Sequence, residues 1–213
     1  MITPSEASTF TQTLCETAPV IPVLVVEDPT TAAPLAKALV AGGLPVLEVT
    51  LRTAAALSVI REMAQVPGAI VGAGTVLTPE DARNARAAGA QFAVSPGATD
   101  ALLDACEAID LPILPGAATA TEAMALLARG YTVQKFFPAE AIGGAKALKS
   151  LAGPLPQILF CPTGGISAKN APDYLSLPNV RCVGGSWVAP ADLVANGEWE
   201  AIRDLASAAA KLR

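Results

Sequence analysis

A chain of 213 residues that is 52% hydrophobic can bury one substantial core, and its length suits one large α/β domain spanning residues 1–213 better than two small ones. A net charge of −5, 4% aromatic residues and no basic stripe argue against nucleic acid as the main partner, and no apolar run is long enough and free enough of Gly, Pro or charge to span a bilayer. The absence of histidine removes the usual general base and any Ser–His or Cys–His nucleophile pair, so acid–base chemistry falls to carboxylates, lysine or water.

In chain order, a polar helical N-terminal segment is followed by short apolar runs at 20–26, 45–51, 69–73, 91–95, 111–115, 131–137, 157–161 and 180–183. An Ala- and Leu-rich stretch of helical periodicity or an irregular return separates each run from the next. Eight such units predict a (β/α)8 TIM barrel with an extra N-terminal helix. An open doubly wound sheet is the alternative, but it rarely needs eight units in so short a chain. Gly-containing turns such as Ala41-Gly42-Gly43, Pro67-Gly68 and Ala88-Gly89-Ala90 close helices before the next strand. The opposite, C-terminal strand ends carry Thr50-Leu51-Arg52, Gly72-Ala73-Gly74-Thr75, Ser95-Pro96-Gly97, Phe137-Pro138-Ala139-Glu140, Pro162-Thr163-Gly164-Gly165 and Gly184-Gly185-Ser186, on the face where barrels build active sites.

The four cysteines, Cys15, Cys106, Cys161 and Cys182, are widely spaced with no C-x-x-C pair. That pattern suggests neither a zinc site nor a disulfide framework, and a reduced, cytoplasmic protein is expected because no basic segment leads into an apolar stretch at the N-terminus.

Strand alternation selects the residues that carry chemistry. Along 46–52 it places Glu48, Thr50 and Arg52 on the inner side, opposite Leu47, Val49 and Leu51. A buried glutamate needs a partner such as Lys135, Arg52 or water; a structural ion pair filling the barrel is the plainer explanation. Along 131–138 the same alternation turns Val133, Lys135 and Phe137 inward and Gln134 and Phe136 outward. A lysine in so apolar a run is a surface cation, a snorkelling side chain or, made neutral in a dry site, a nucleophilic amine. The glycine turns Thr163-Gly164-Gly165 and Gly184-Gly185-Ser186 follow the last two strands, where barrels commonly bind phosphate. Val71-Gly72-Ala73-Gly74-Thr75-Val76 begins like a dinucleotide fingerprint, but Leu77 occupies the third glycine's place and no acidic residue follows to hold a ribose. NAD is therefore rejected, and Thr75 becomes a hydrogen-bond donor to a compact substrate.

Leu-Glu-Val-Thr-Leu-Arg at 47–52, Val-Gly-Ala-Gly-Thr-Val-Leu at 71–77, Lys-Phe-Phe-Pro-Ala-Glu at 135–140, Phe-Cys-Pro-Thr-Gly-Gly-Ile at 160–166 and Val-Gly-Gly-Ser-Trp at 183–187 together resemble the 2-keto-3-deoxy-6-phosphogluconate aldolase family, over nearly the whole chain. The resemblance implies a class I aldolase of the Entner–Doudoroff pathway, a homotrimer that uses neither cofactor nor metal. It cleaves a phosphorylated keto acid to pyruvate and glyceraldehyde 3-phosphate, and some members also cleave 4-hydroxy-2-oxoglutarate. It further implies Lys135 as the Schiff-base lysine, Glu48 as the general acid–base and Arg52 with Thr75 as the carboxylate-binding pair. Thr163, Gly164, Gly165, Gly185 and Ser186 match the phosphate end, and Pro96, Phe137 and Gly184 complete the substrate-binding set. Gln134, Ala98 and Ala117-Ala118 depart from the family pattern. Gln134 is expected to touch packing, and the alanines are expected to widen the pocket. A phosphate-binding isomerase or decarboxylase without a covalent intermediate is the competing enzyme class; a barrel that only binds a sugar phosphate is the non-catalytic one.

Overall fold

The structure, a computed structural model, describes residues 1–212. Helix α1 (Pro4–Thr17) starts at a capping box in which Thr3 and Glu6 satisfy each other's backbone N–H groups. Strands β1 (Val20–Leu24), β2 (Val46–Thr50), β3 (Ile70–Gly74) and β4 (Phe92–Val94) alternate with α2 (Ala32–Ala41), α3 (Ala56–Met63), α4 (Pro79–Ala87) and α5 (Asp100–Ala108). The second half runs β5 (Ile113–Leu114), β6 (Gly116–Ala117), α6 (Ala120–Arg129), β7 (Val133–Phe136), α7 (Gly144–Ala152), β8 (Leu159–Pro162), α8 (Ala171–Leu175), β9 (Val183–Gly185), α9 (Ala191–Ala195) and α10 (Trp199–Ala209). Capping boxes at Thr78–Asp81 and Thr119–Glu122 start α4 and α6 as Thr3–Glu6 starts α1, so three helices begin by the same local device.

Every strand pairing is parallel, as short strands joined by helical crossovers require. The strands form a six-stranded sheet, β5-β4-β3-β2-β1-β9, and a three-stranded sheet, β6-β7-β8. The expected α/β fold is present as curled parallel sheet, with two local differences from the eight runs read in the sequence. The run 111–115 holds only β5; the pairing breaks at Pro115, which has no N–H to give to a ladder, and resumes beyond the run as β6. The last strand lies at 183–185 rather than 180–183, because Val180 makes only an isolated bridge to Phe160. A second bridge, Thr163 to Gly184, links β8 to β9 across the gap between the sheets.

Two apolar layers follow from alternation. Leu47, Val49, Ala73, Ala93 and Phe136 face the surrounding helices in one large core. Ile21, Val46, Phe92, Val94, Leu114, Val133, Cys161 and Cys182 cluster on the inner face, where Leu14 and Cys15 of α1 cap them from the end opposite the functional turns. Helix α1 packs on β5 and β7, and Ser8 fixes it by accepting from Thr132 N at 3.0 Å. The lower part of the inner face is thus an apolar floor, and the strand-end turns lie above it.

Candidate active site

Glu48 and Lys135 are each two residues beyond an apolar floor residue, Val46 on β2 and Val133 on β7, so the period of two carries both charges to the inner face. Their side chains meet there: Lys135 Nζ donates to Glu48 Oε1 at 3.3 Å, with the two side chains only 6% and 4% exposed. Lys135 does not snorkel. The Phe137 ring lies over the ammonium, its centroid 5.2 Å from Nζ, as the alternation along β7 predicts. Burial pushes the Glu48 carboxyl above the usual carboxylate range, against the opposing pull of Lys135 and, more weakly, Arg52.

Around this pair the strand-end turns enclose a cavity of about 430 Å³. All twelve residues singled out from sequence line it: Glu48 and Lys135 at its base, then Arg52, Thr75, Pro96, Phe137, Thr163, Gly164, Gly165, Gly184, Gly185 and Ser186. Accessibility grades upward, from the buried pair to the exposed Arg52, Gly165 and Ser186 at the rim. A small molecule can thus place one end on a dry amine–carboxylate pair while its charged ends stay near water. Val23, Thr50, Leu77 and Ile166 also line the cavity and were not assigned a binding role from sequence. Alternation along β1 and β2 carries the signal for Val23 and Thr50. Thr50 Oγ1 donates to the Leu24 carbonyl at 2.9 Å, which ties β2 to β1 beside Glu48.

Backbone detail explains the Gly74–Thr75 turn better than any nucleotide motif. A Cβ at Gly74 would come within 2.3 Å of Glu48 Oε1, so the carboxylate occupies the space that glycine leaves. Thr75 follows at φ 59°, in the left-handed region that a β-branched residue avoids, a local strain of the kind that collects at functional sites. Likewise, a Cβ at Gly184 would meet Thr163 Oγ1 at 2.3 Å, and this close approach lets β9 pass the buried threonine. Gly164 and Gly165 have φ values of 102° and 77°, a paired left-handed turn that turns the chain at the cavity wall.

Of the departures from the family pattern, Gln134 faces α6, where its Nε2 donates to the carbonyls of Ala123 at 3.0 Å and Tyr131 at 2.9 Å. It belongs to the helix side, as expected. Ala117 does not widen the pocket, because it is buried in the outer core; Ala98 and Ala118 are not among the residues that line the cavity. The fold brings the sulfurs of Cys15, Cys161 and Cys182 together despite their wide spacing in sequence, and it holds no disulfide among the described residues.

A family model described as "Aldolase: KDPG and KHG aldolase" matches residues 11–205. The chain belongs to the KDPG and KHG aldolase family. It is 57% identical to the 2-dehydro-3-deoxy-phosphogluconate aldolase of Pseudoalteromonas atlantica, covering 90% of this chain and 89% of that one. It is 52% identical to the KHG/KDPG aldolase of Escherichia coli, covering 93% of each. Among solved structures, the 2-keto-3-deoxy-6-phosphogluconate aldolase of Zymomonas mobilis with 3-phosphoglycerate superposes with a TM-score of 0.91, at 50% identity over 97% of both chains. The KDPG aldolase of Legionella pneumophila, with pyruvate captured as a covalent carbinolamine intermediate, gives a TM-score of 0.91 at 45% identity over 99% of both.

Proposed function

We propose that this protein is a class I aldolase that reversibly cleaves 2-keto-3-deoxy-6-phosphogluconate to pyruvate and glyceraldehyde 3-phosphate, and that it also accepts 4-hydroxy-2-oxoglutarate, giving pyruvate and glyoxylate. The observation that carries the reading is the buried Lys135–Glu48 contact at the base of the cavity, in a family whose Legionella member holds pyruvate as a covalent carbinolamine. Lys135 Nζ attacks the substrate ketone; the carbinolamine loses water to give an iminium, whose positive charge draws the electrons of the breaking carbon–carbon bond. Glu48, 3.3 Å from that nitrogen, takes the C4 hydroxyl proton, directly or through water, as the aldehyde leaves. It then returns a proton to the pyruvate enamine, and hydrolysis of the imine frees Lys135. Its raised pKa suits a group that must both accept and return a proton.

Arg52 and Thr75 hold the substrate carboxylate through charge-assisted and neutral hydrogen bonds, with the ketone turned to the amine. Thr163, Gly164, Gly165, Gly184, Gly185 and Ser186 receive the phosphate across the cavity, while Pro96 and Phe137 form apolar walls. A non-covalent isomerase or decarboxylase is not favoured, because it leaves the buried lysine without a task.

Within the same proposal the chain is one domain whose two sheets complete an eight-stranded barrel, with α1 as an addition. Support comes from the isolated bridges Phe160–Val180 and Thr163–Gly184 on one side and the single-residue break at Pro115 on the other. The phosphorylated substrate, pyruvate product, homotrimeric assembly and cytoplasmic location belong to the proposal through the family. Among the described residues no helix is long and apolar enough to cross a membrane. Borohydride added with pyruvate is expected to attach a reduced pyruvyl group to Lys135, read by peptide mass spectrometry, with loss of activity. Full activity and an unmodified Lys135 after that treatment would defeat the imine route.

A further inference from the structure

Three of the four cysteines converge on the inner face below the active-site pair. Cys15 comes from the last turn of α1, Cys161 from β8 and Cys182 from the residue before β9, and their sulfurs all lie within 4.8 Å of one another. All three are buried, and Cys182 Sγ donates to Cys161 Sγ at 3.4 Å. Cys161 pairs in register with Lys135 on the neighbouring strand, so the cluster lies beside the base of the cavity without lining it. No residue of the proposed aldol chemistry belongs to it.

We propose that Cys15, Cys161 and Cys182 form a binding site for one soft, thiophilic metal ion, with monovalent copper the best fit. With metal–sulfur bonds of about 2.3 Å, a trigonal centre sets its sulfurs about 4 Å apart. The observed spacing, 3.4 Å for one pair and no more than 4.8 Å for any, is compatible with that value, so side-chain adjustments of less than an ångström would complete a three-coordinate site. Ligand number decides between metals. Zinc in structural sites takes four ligands, and among the described residues no further Cys, Asp or Glu atom joins these three sulfurs. Thiolates select soft ions, and a monovalent ion content with three sulfurs needs no fourth group.

The two neighbouring thiols and the Lys135 ammonium favour the thiolate of Cys161, while the neighbouring thiols and burial hold Cys15 and Cys182 protonated in the metal-free protein. On binding, each cysteine still protonated releases its proton to solvent as its sulfur bonds to the ion, and no electron is transferred.

The test uses the full chain, reduced and under nitrogen, titrated with Cu(I) delivered as the complex of a coloured chelator. The expected result is withdrawal of one copper per chain, with a thiolate-to-copper charge-transfer absorption and three sulfur neighbours by X-ray absorption spectroscopy. Cys15→Ala and Cys182→Ala should each weaken retention on the order of 10²-fold or more, while Cys106→Ala leaves it unchanged. Thermal unfolding checks that each variant is folded, and Cys15→Ser replaces any alanine variant that is not. No copper transfer, retention unaffected by loss of Cys15, or loss of thiols without bound copper, which marks oxidation to a Cys161–Cys182 disulfide, would each overturn the site.

Discussion

The upper and lower halves of the inner face are built on the same strands and differ in almost every physical respect. Val46 and Glu48 are two residues apart on β2, and Val133 and Lys135 two apart on β7, yet the lower member of each pair sits in an apolar cluster and the upper one carries charge. The floor makes the charges informative. Breaking a buried ion pair by removing one partner typically costs about 3–5 kcal/mol, whereas replacing both by apolar residues is often neutral, so the pair is a poor way to stabilise this interior. The proposed aldol chemistry, in which an amine and a carboxylate act on a bound ketone, gives the pair a reason to be there, on top of an apolar floor.

Four perturbations separate the two halves. Glu48→Gln should slow cleavage by about 10²–10⁴-fold while pyruvate can still be trapped on Lys135; near-normal turnover would take the carboxylate out of the reaction. Gly74→Ala, far subtler in chemistry, forces its new methyl into the Glu48 carboxyl and should lower kcat by about 10²-fold with the protein still folded. Steady-state kinetics beside circular dichroism would check it, and an unaffected kcat would mean that Glu48 tolerates displacement. On the floor, Phe92→Leu should cost about 1–2 kcal/mol in denaturant unfolding and leave kcat within a few-fold; loss of activity out of proportion to stability would show that the halves are not separable. The smallest effect is in the pH profile. Burial raises the Glu48 pKa, so its base form disappears as pH falls through a value above the ordinary 4.5, and the acid limb of kcat/KM should lie correspondingly high. A limb at the ordinary value would assign the proton transfer elsewhere.

The same two halves differ in how much of them can be read from a sequence. The upper half is legible because alternation is a local rule: Glu48, Thr50, Lys135 and Phe137 turn inward by counting residues, and the glycine turns announce themselves at strand ends. Distances through space are not local. Nothing in the spacing of Cys15, Cys161 and Cys182 indicates that a helix from the N-terminus meets β8 and the start of β9. Gly74 resembles part of a broken nucleotide motif because its reason, the Glu48 carboxyl that fills the space a Cβ would need, lies on the neighbouring strand. Pro115 was visible, but whether it ends a strand or only interrupts one depends on the partners on either side, β4 and β7. Ala117 shows the same limit, since a residue near a motif need not face the site beside it.

The placement of α1 bears on the order in which the molecule can assemble during synthesis. Helix α1 packs on β5 and β7, and Ser8 meets Thr132 across 124 residues of chain; β1 pairs with β9, Val20 beside Val183. As the chain emerges from the ribosome, α1 and β1 wait for partners made later, and α1 must find the floor after more than half the strands have been made. Such late, long-range closure is slow. Until it occurs the growing chain exposes Leu14 and the inner apolar cluster to solvent, so the interval before completion is when this protein is most prone to aggregate and most dependent on chaperones.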